Sequence, residues 1–402
     1  MYNYFGLGKK ICYNNYIKYS GGIGVRILHT ADWHIGKKLQ RISLLEDQEY
    51  IINQIINQIE KYHPELLIIA GDLYDKSIPS KEATHLLQQA LSDINIKHNL
   101  PIVAISGNHD NRERLSVGKA WFSQHNFYLH TTLEQSFKKI TFDNVDMYLL
   151  PYFEPYEARE YFNDNTLDTH HKATKRVIDE IYSTMNEKNV NILVAHTFVA
   201  GSLETDSERE ISVGTVENVA VDVFEKFDYV ALGHLHNPNA CNEEKIKYSG
   251  SPLAYSFSEA KQTKGTRLIN ITKNSFEEQF LPLEPLRKLY NVVADYNEVM
   301  TKEFQNNFNF KHDFFSMELS GLDGITDPMP RIQAMYPNTL LLKKKTKKEN
   351  SEKESLTKEM LSKTPLELIE NFYKEEVSVE LTDIQKKTLE NIFKVVNSDE
   401  TN

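Results

Sequence analysis

Cysteine is nearly absent from this 402-residue chain: Cys12 and Cys241 are the only two, far apart and without a CxxC spacing. That removes a disulfide framework and thiolate metal chemistry, and it suits a reducing compartment, by default the cytoplasm. No apolar run approaches the length of a bilayer span, so no membrane partner is expected. No G-x-x-x-x-G-K-S/T sequence occurs, so the chain is not expected to hydrolyse ATP, and no G-x-S-x-G elbow offers a serine nucleophile. Internal repeats are missing, and the only biased tract is a lysine run. Excess positive charge is missing too: 46 Lys and Arg stand against 57 Asp and Glu, a net −11, which argues against coating nucleic acid by bulk attraction. It does not exclude a nuclease, because a site built from carboxylates is acidic until its cations bind. What remains is 40% hydrophobic, 26% charged and 11% aromatic, the balance of a globular protein with a large core and two or three domains.

Residues 1–24 show no hydrophobic period and no features of a secretory leader. Gly21-Gly22 reads as an in-frame ribosome-binding sequence, with synthesis starting at Val25; the alternative is a floppy arm. From Val25, short apolar runs alternate with stretches of helical period, which predicts an α/β fold. Val25–His29, Leu66–Ala70, Ile102–Ile105, Ile192–Ala195 and Tyr229–Leu232 read as buried strands, and Ile52, Ile55, Ile56 and Ile59 share one helix face. A strand-rich stretch from Lys245 to Phe280 suggests a second sheet facing the first. Prolines at 282 and 285 mark a boundary between a domain at 25–284 and a small α+β domain at 285–342. A lysine-rich linker at 343–363 follows, solvated or facing DNA, and then two amphipathic helices within 364–402, one opened by Thr364-Pro365-Leu366-Glu367 and one starting at Thr382.

Chemistry collects at strand ends. Asp32 and His34 follow the first strand, Gly71-Asp72 and Asp75 the second, Gly107-Asn108-His109-Asp110 the third, His196 the fourth, and Gly233-His234-Leu235-His236 the fifth. In α/β sheets the carboxyl ends of the strands share a rim, so these clusters converge. Each alone reads as a turn or a structural histidine; together, Asp32, His34, Asp72, Asn108, His196, His234 and His236 exceed the needs of one ion. They suit two divalent cations of Mn²⁺, Fe²⁺ or Zn²⁺ type, with Asp72 the bridge, because the preceding glycine lets the backbone turn sharply. Arg112 and Arg114 after the third cluster, and Arg209 further on, are candidate phosphate contacts, with a solvated helix start the alternative for the first pair. Tyr152, Phe153 and Tyr156 either stack on bases or pack in the core.

In order and spacing, these clusters resemble the calcineurin-like metallophosphoesterase superfamily, a two-sheet sandwich flanked by helices. Within it, HTADWHIG, IAGDLYD, ISGNHD, DSEREISVG and ALGHLHNP resemble the SbcD-type nuclease subunits of bacterial SbcCD complexes, relatives of Mre-type DNA-break nucleases. The resemblance runs from Val25 almost to the C-terminus. It implies Asp32, His34, Asp72 and His236 on one ion, and Asp72, Asn108, His196 and His234 on the other, with Mn²⁺ the best-suited metal. It implies His109 as the catalytic histidine, with Asp110 holding its ring. Asp75 stands where some relatives carry a histidine, and its role is open between catalysis and a structural hydrogen bond. The small domain would be a capping domain, and the C-terminal helices would grip an SbcC-like coiled-coil ATPase, in a homodimer within a heterotetramer. The implied activity is exonucleolytic on double-strand ends and endonucleolytic on hairpin or single-stranded DNA, in repair, recombination and replication, at a cytoplasmic, nucleoid-associated address. Competing readings are another phosphoesterase of the superfamily and a non-catalytic DNA-end scaffold.

Overall fold

The computed structural model describes residues 24–199, 202, 218–345, 381–382 and 385–389. The chain enters through β1 (Val25–Thr30), turns a small hairpin, β2 (Lys38–Leu39) and β3 (Ile42–Ser43), and continues into helix α1 (Leu45–Tyr62). β4 (Leu66–Ala70), α2 (Lys81–Ser92), β5 (Ile102–Ile105), the short helices α3 (Arg112–Ser116) and α4 (Lys119–Phe122), and β6 (Phe127–His130) follow. The second half brings β7 (Ile140–Phe142), β8 (Val145–Leu150), α5 (Pro155–Phe162), α6 (His170–Thr184), β9 (Val190–His196) and β10 (Tyr229–Gly233). β11 (Ile246–Tyr248), β12 (Gly265–Ile271) and β13 (Phe276–Pro282) complete it.

One sheet has the order β13-β12-β1-β4-β5-β6 and the other β11-β10-β9-β8-β7. β1, β4, β5 and β6 run parallel, as do β8, β9, β10 and β11. β4 reads Leu-Leu-Ile-Ile-Ala without alternation because both its faces are covered. Ile68 and Ala70 meet Met147, Ile192 and Val194 of the other sheet, while Leu67 and Ile69 meet Ile51, Ile55 and Ile59 of α1. Val177, Ile178 and Ile181 of α6 cover the outer face of the second sheet. The expected two-sheet α/β sandwich is the fold observed, and the five expected strands are β1, β4, β5, β9 and β10, but of the stretch from Lys245 to Phe280 only β11 joins the second sheet, while β12 and β13 extend the first by antiparallel pairing on β1.

A three-stranded sheet follows, β14 (Leu289–Asp295), β15 (Phe314–Ser320) and β16 (Thr339–Lys344), with its own core of Val292, Phe315, Met317, Leu319 and Tyr336. β16 takes up Lys343 and Lys344, which the sequence reading had placed in a linker. Compact units divide at Lys343 and Lys344. In the second unit, residues 385–389 are helical, and Thr382, the expected helix start, is tied to Gln385: its amide donates to Gln385 Oε1 at 2.9 Å and its Oγ1 accepts from the Gln385 amide at 3.4 Å. Residues 1–23, the lysine run beyond Lys345 and the helix expected from Thr364 lie outside the described residues. Among the described residues, no helix is long and apolar enough to cross a membrane.

Candidate metal centre

The loops after β1 and β4 are zipped together by main-chain bonds, the Asp32 amide donating to Gly71 O at 3.0 Å and the His34 amide to Asp72 O at 2.9 Å. Asp32, His34, Asp72 and His234 all hold left-handed backbone, with φ of 52°, 44°, 50° and 98°. Such conformations cost energy and persist where the surroundings enforce them, commonly at functional sites. Here they aim side chains from separate strand ends at one point. Close packing enforces the aim: a Cβ on Gly71, itself at φ +94°, would sit 2.2 Å from His196 Nδ1, and one on Gly107 would sit 2.1 Å from Asp72 Oδ1.

Asp72 is central. Its Oδ1 accepts from the His109 amide at 2.9 Å, while its Oδ2 lies 3.5 Å from His34 Nε2 and 3.4 Å from His196 Nε2. Beyond His34, the Nε2 of His236 approaches the His34 Nε2 to 3.0 Å. Beyond His196, Asn108 Oδ1 stands 3.0 Å from its Nε2, and the ring of His234 lies 5.2 Å away, centre to centre. The Asp32 carboxylate accepts from the His234 amide at 2.9 Å and groups with His34 and His236, as well as with Asp72 and His196. Asp32, His34, Asp72, His196 and His236 are all under 3% exposed.

Burial pushes the Asp32 carboxyl up to about 7, against the pull of His196 and His236. Burial would raise Asp72 as well, yet His196 and His34 hold it well below the usual carboxylate range. Burial works against charge on His196 too, but Asp72 and Asp32 lift it to about 9. Burial, with His196 close by, drives His234 down to about 3, and burial also takes His34 well below its ordinary value. A divalent charge relieves this crowding, since it ionises the carboxyls and takes neutral imidazoles as ligands. The donor set fits such ions: carboxylates, imidazole Nε2 atoms facing one another, one amide and no thiolate. Among the described residues, the buried Asn108 Nδ2 and His34 Nδ1 have no hydrogen-bond partner.

Residues 25–238, more than half of the chain, match the family model described as calcineurin-like phosphoesterase. The chain belongs to the calcineurin-like phosphoesterases. Residues 282–377 match a second, SbcD-type model, described as the type 5 capsule protein repressor C-terminal domain. The two matches together are those of an SbcD-type nuclease subunit, a metal-dependent phosphodiesterase.

Of the residues singled out in the sequence, the phosphoesterase fold brings Asp32, His34, Asp72, Asn108, His196, His234 and His236 together, and sets the His109 ring against His34 at 4.8 Å. Two expectations are corrected. Asp110 does not hold the His109 ring; its carboxylate accepts from the amides of Leu73, Tyr74 and Gly107 at 3.0–3.1 Å and pins the loops after β4 and β5 together. The ring is held instead by Asp75, whose main-chain carbonyl accepts from His109 Nδ1 at 2.9 Å while its carboxylate pairs with Lys37 at 2.8 Å. Arg112 does not point outward as a phosphate clamp. Glu157 takes its guanidinium in a two-pronged ion pair, and the Tyr152 carbonyl accepts from its Nη2 at 2.7 Å. Arg114 is exposed, and Arg209 lies outside the described residues. Phe153 is buried in the core, Tyr156 is half exposed, and the Tyr152 ring stands 6.4 Å from that of His196, at the edge of the centre.

Sequence reading missed the supports behind the ligands. Gln48 on α1 donates to the carbonyls of Trp33 and His34 at 3.2 and 2.8 Å, and Tyr255 donates to Trp33 O while its ring walls His34 and His236. Glu259 and Lys264 stand behind His236. None follows a strand in a recognisable motif, so no local signal marks them.

Proposed function

We propose that this chain is the DNA nuclease subunit of an SbcCD-type complex, cutting phosphodiesters with two divalent ions, most suitably Mn²⁺. The observation that carries the reading is Asp72 Oδ2, within 3.5 Å of both His34 Nε2 and His196 Nε2, the shared proximity a bridging carboxylate would need. Asp32, His34, Asp72 and His236 would hold one ion, and Asp72, Asn108, His196 and His234 the other. When bound, such ions supply Lewis acidity, lowering the pKa of an attacking water and screening phosphate charge. The chain's own residues do the rest. His109 donates its Nδ1–H to Asp75 O, which fixes the ring and leaves Nε2 to carry a proton to the departing 3′-oxygen. Asp110 keeps the His109 loop against the Asp72 loop, so the two groups act in fixed register. Arg114, exposed next to that loop, supplies a contact to the phosphate backbone.

The implied partner is an SbcC-like coiled-coil ATPase, gripped by the helices within 364–402, with repair, recombination and replication as the setting and the nucleoid as the address. A homodimer has a candidate surface in Val117 and Trp121, 73% and 77% exposed around α4. Trp121→Asp is expected to shift the mass in solution from dimer to monomer in sedimentation; an unchanged dimer places that interface elsewhere. The test of function is degradation of blunt duplex and hairpin DNA with Mn²⁺, with and without the ATPase. Metal-dependent cutting of both is expected. Hydrolysis of small phosphoesters with no action on DNA would assign another phosphoesterase activity, and binding of ends without cleavage a scaffold.

A further inference from the structure

A metal-ligating histidine is commonly oriented through its second nitrogen, although His34 Nδ1 has no such partner among the described residues. His196 uses a neutral acceptor, its Nδ1 donating to the Ala70 carbonyl at 2.9 Å. His236 is held differently. Its Nδ1 faces Glu259 Oε1 at 3.3 Å, on a carboxylate that is 0% exposed. Ser256 Oγ also donates to Oε1 at 3.2 Å, and Ser251 Oγ to Oε2 at 3.4 Å. Lys264, 5% exposed, reaches in from the start of β12 and places Nζ 2.5 Å from Glu259 Oε2. The same ammonium donates to the His236 carbonyl at 2.8 Å, to Ser251 Oγ at 3.0 Å and to Gln262 Oε1 at 2.8 Å. One buried ion pair thus grips His236 by both ring and main chain.

Burying a carboxylate and an ammonium carries a desolvation cost that their attraction must first offset, and apolar residues of similar size commonly do as well for stability. The pair therefore calls for a reason other than packing, and the geometry supplies it. We propose that Glu259 is a positioning residue for the metal centre: it keeps the proton of His236 on Nδ1 and turns Nε2 toward the ion shared with Asp32 and His34. Lys264 ties Glu259 to the His236 carbonyl and so fixes the carboxylate against the ring. Because His196 has a neutral carbonyl in the equivalent place, the pair strengthens one metal position selectively, so the two ions bind with unequal affinity. The proposal rests on the two-ion reading above.

The test is Mn²⁺ titration of chelator-stripped full-length protein by calorimetry, with electron paramagnetic resonance reporting spin-coupled pairs. Two variants are compared with the unaltered chain, each checked for a cooperative thermal transition. Glu259→Gln keeps the shape and an acceptor but removes the charge; Glu259→Leu combined with Lys264→Met removes the ion pair without leaving a lone buried charge. In the double variant one position is expected to weaken about 10–100-fold and the other to hold its affinity, so the coupled signal is lost at Mn²⁺ levels that saturate the unaltered protein. Glu259→Gln is expected to weaken the same position less, under about 10-fold, and it decides the matter if the double variant does not fold. Unchanged affinity at both positions in a folded variant, or equal loss at both, overturns the proposal. Failure of the unaltered protein to bind a pair of ions overturns the two-ion reading instead.

Discussion

His109 and Asp110 are chain neighbours with separate work. His109 sets its ring 4.8 Å from that of His34 and is anchored through Nδ1 to Asp75 O, while the Asp110 carboxylate takes three amide hydrogens. His109→Ala is expected to keep metal binding and lose about 10²–10⁴-fold in turnover on DNA, read by calorimetry beside a nuclease assay; full activity would remove the assignment. Asp110→Ala strands three buried N–H groups and is expected to cost about 3 kcal/mol or more in stability, read from urea unfolding without metal. The same turn shows where sequence is legible. Asp, Asn and His at strand ends are local signals, and the structure brings these side chains together. The direction of Asp110 was not legible, because a tight turn sends adjacent side chains to opposite sides. Arg112 was misread for a related reason: a cation after a catalytic loop suggests phosphate, and its partner Glu157 lies 45 residues on.

At the level of elements, two sheets must stay in register for strand ends from both to meet. Ile55 of α1, 0% exposed, packs on the outer face of the first sheet. Ile55→Ala is expected to lower stability by about 2–5 kcal/mol while leaving the metal affinity of the folded protein intact, checked by urea midpoint and calorimetry. Between the sheets, His29 of β1 meets the Tyr229 hydroxyl of β10 at 2.8 Å. Burial, with Arg267 near, holds His29 at about 3 against an ordinary 6.5. As pH falls below 6.5, the unfolded chain takes a proton that the folded chain refuses until about 3, so stability drops by about 1.4 kcal/mol per pH unit across that window. His29→Gln keeps a partner for Tyr229 and is expected to flatten the acid limb of stability against pH by one proton; an unchanged slope would show that His29 does not titrate this way. The strands themselves were legible because buried parallel strands are unbroken apolar runs, whereas the cross-sheet His29–Tyr229 pair spans 200 residues and leaves no periodic trace.

For the whole molecule, the matched regions divide the labour: a phosphoesterase at 25–238 that performs the chemistry, and an SbcD-type C-terminal region at 282–377. Deleting 364–402 is expected to abolish co-purification with the ATPase and to spare metal-dependent cutting of single strands; retained co-purification would move the docking site elsewhere. The paired ions are the claim on which the rest depends, and anomalous diffraction from crystals grown with Mn²⁺ tests it most directly. Two peaks about 3.5–4 Å apart on either side of Asp72, one beside His34 and His236 and one beside Asn108, His196 and His234, are the expected result. A single peak, or none near these side chains at saturating Mn²⁺, would contradict it.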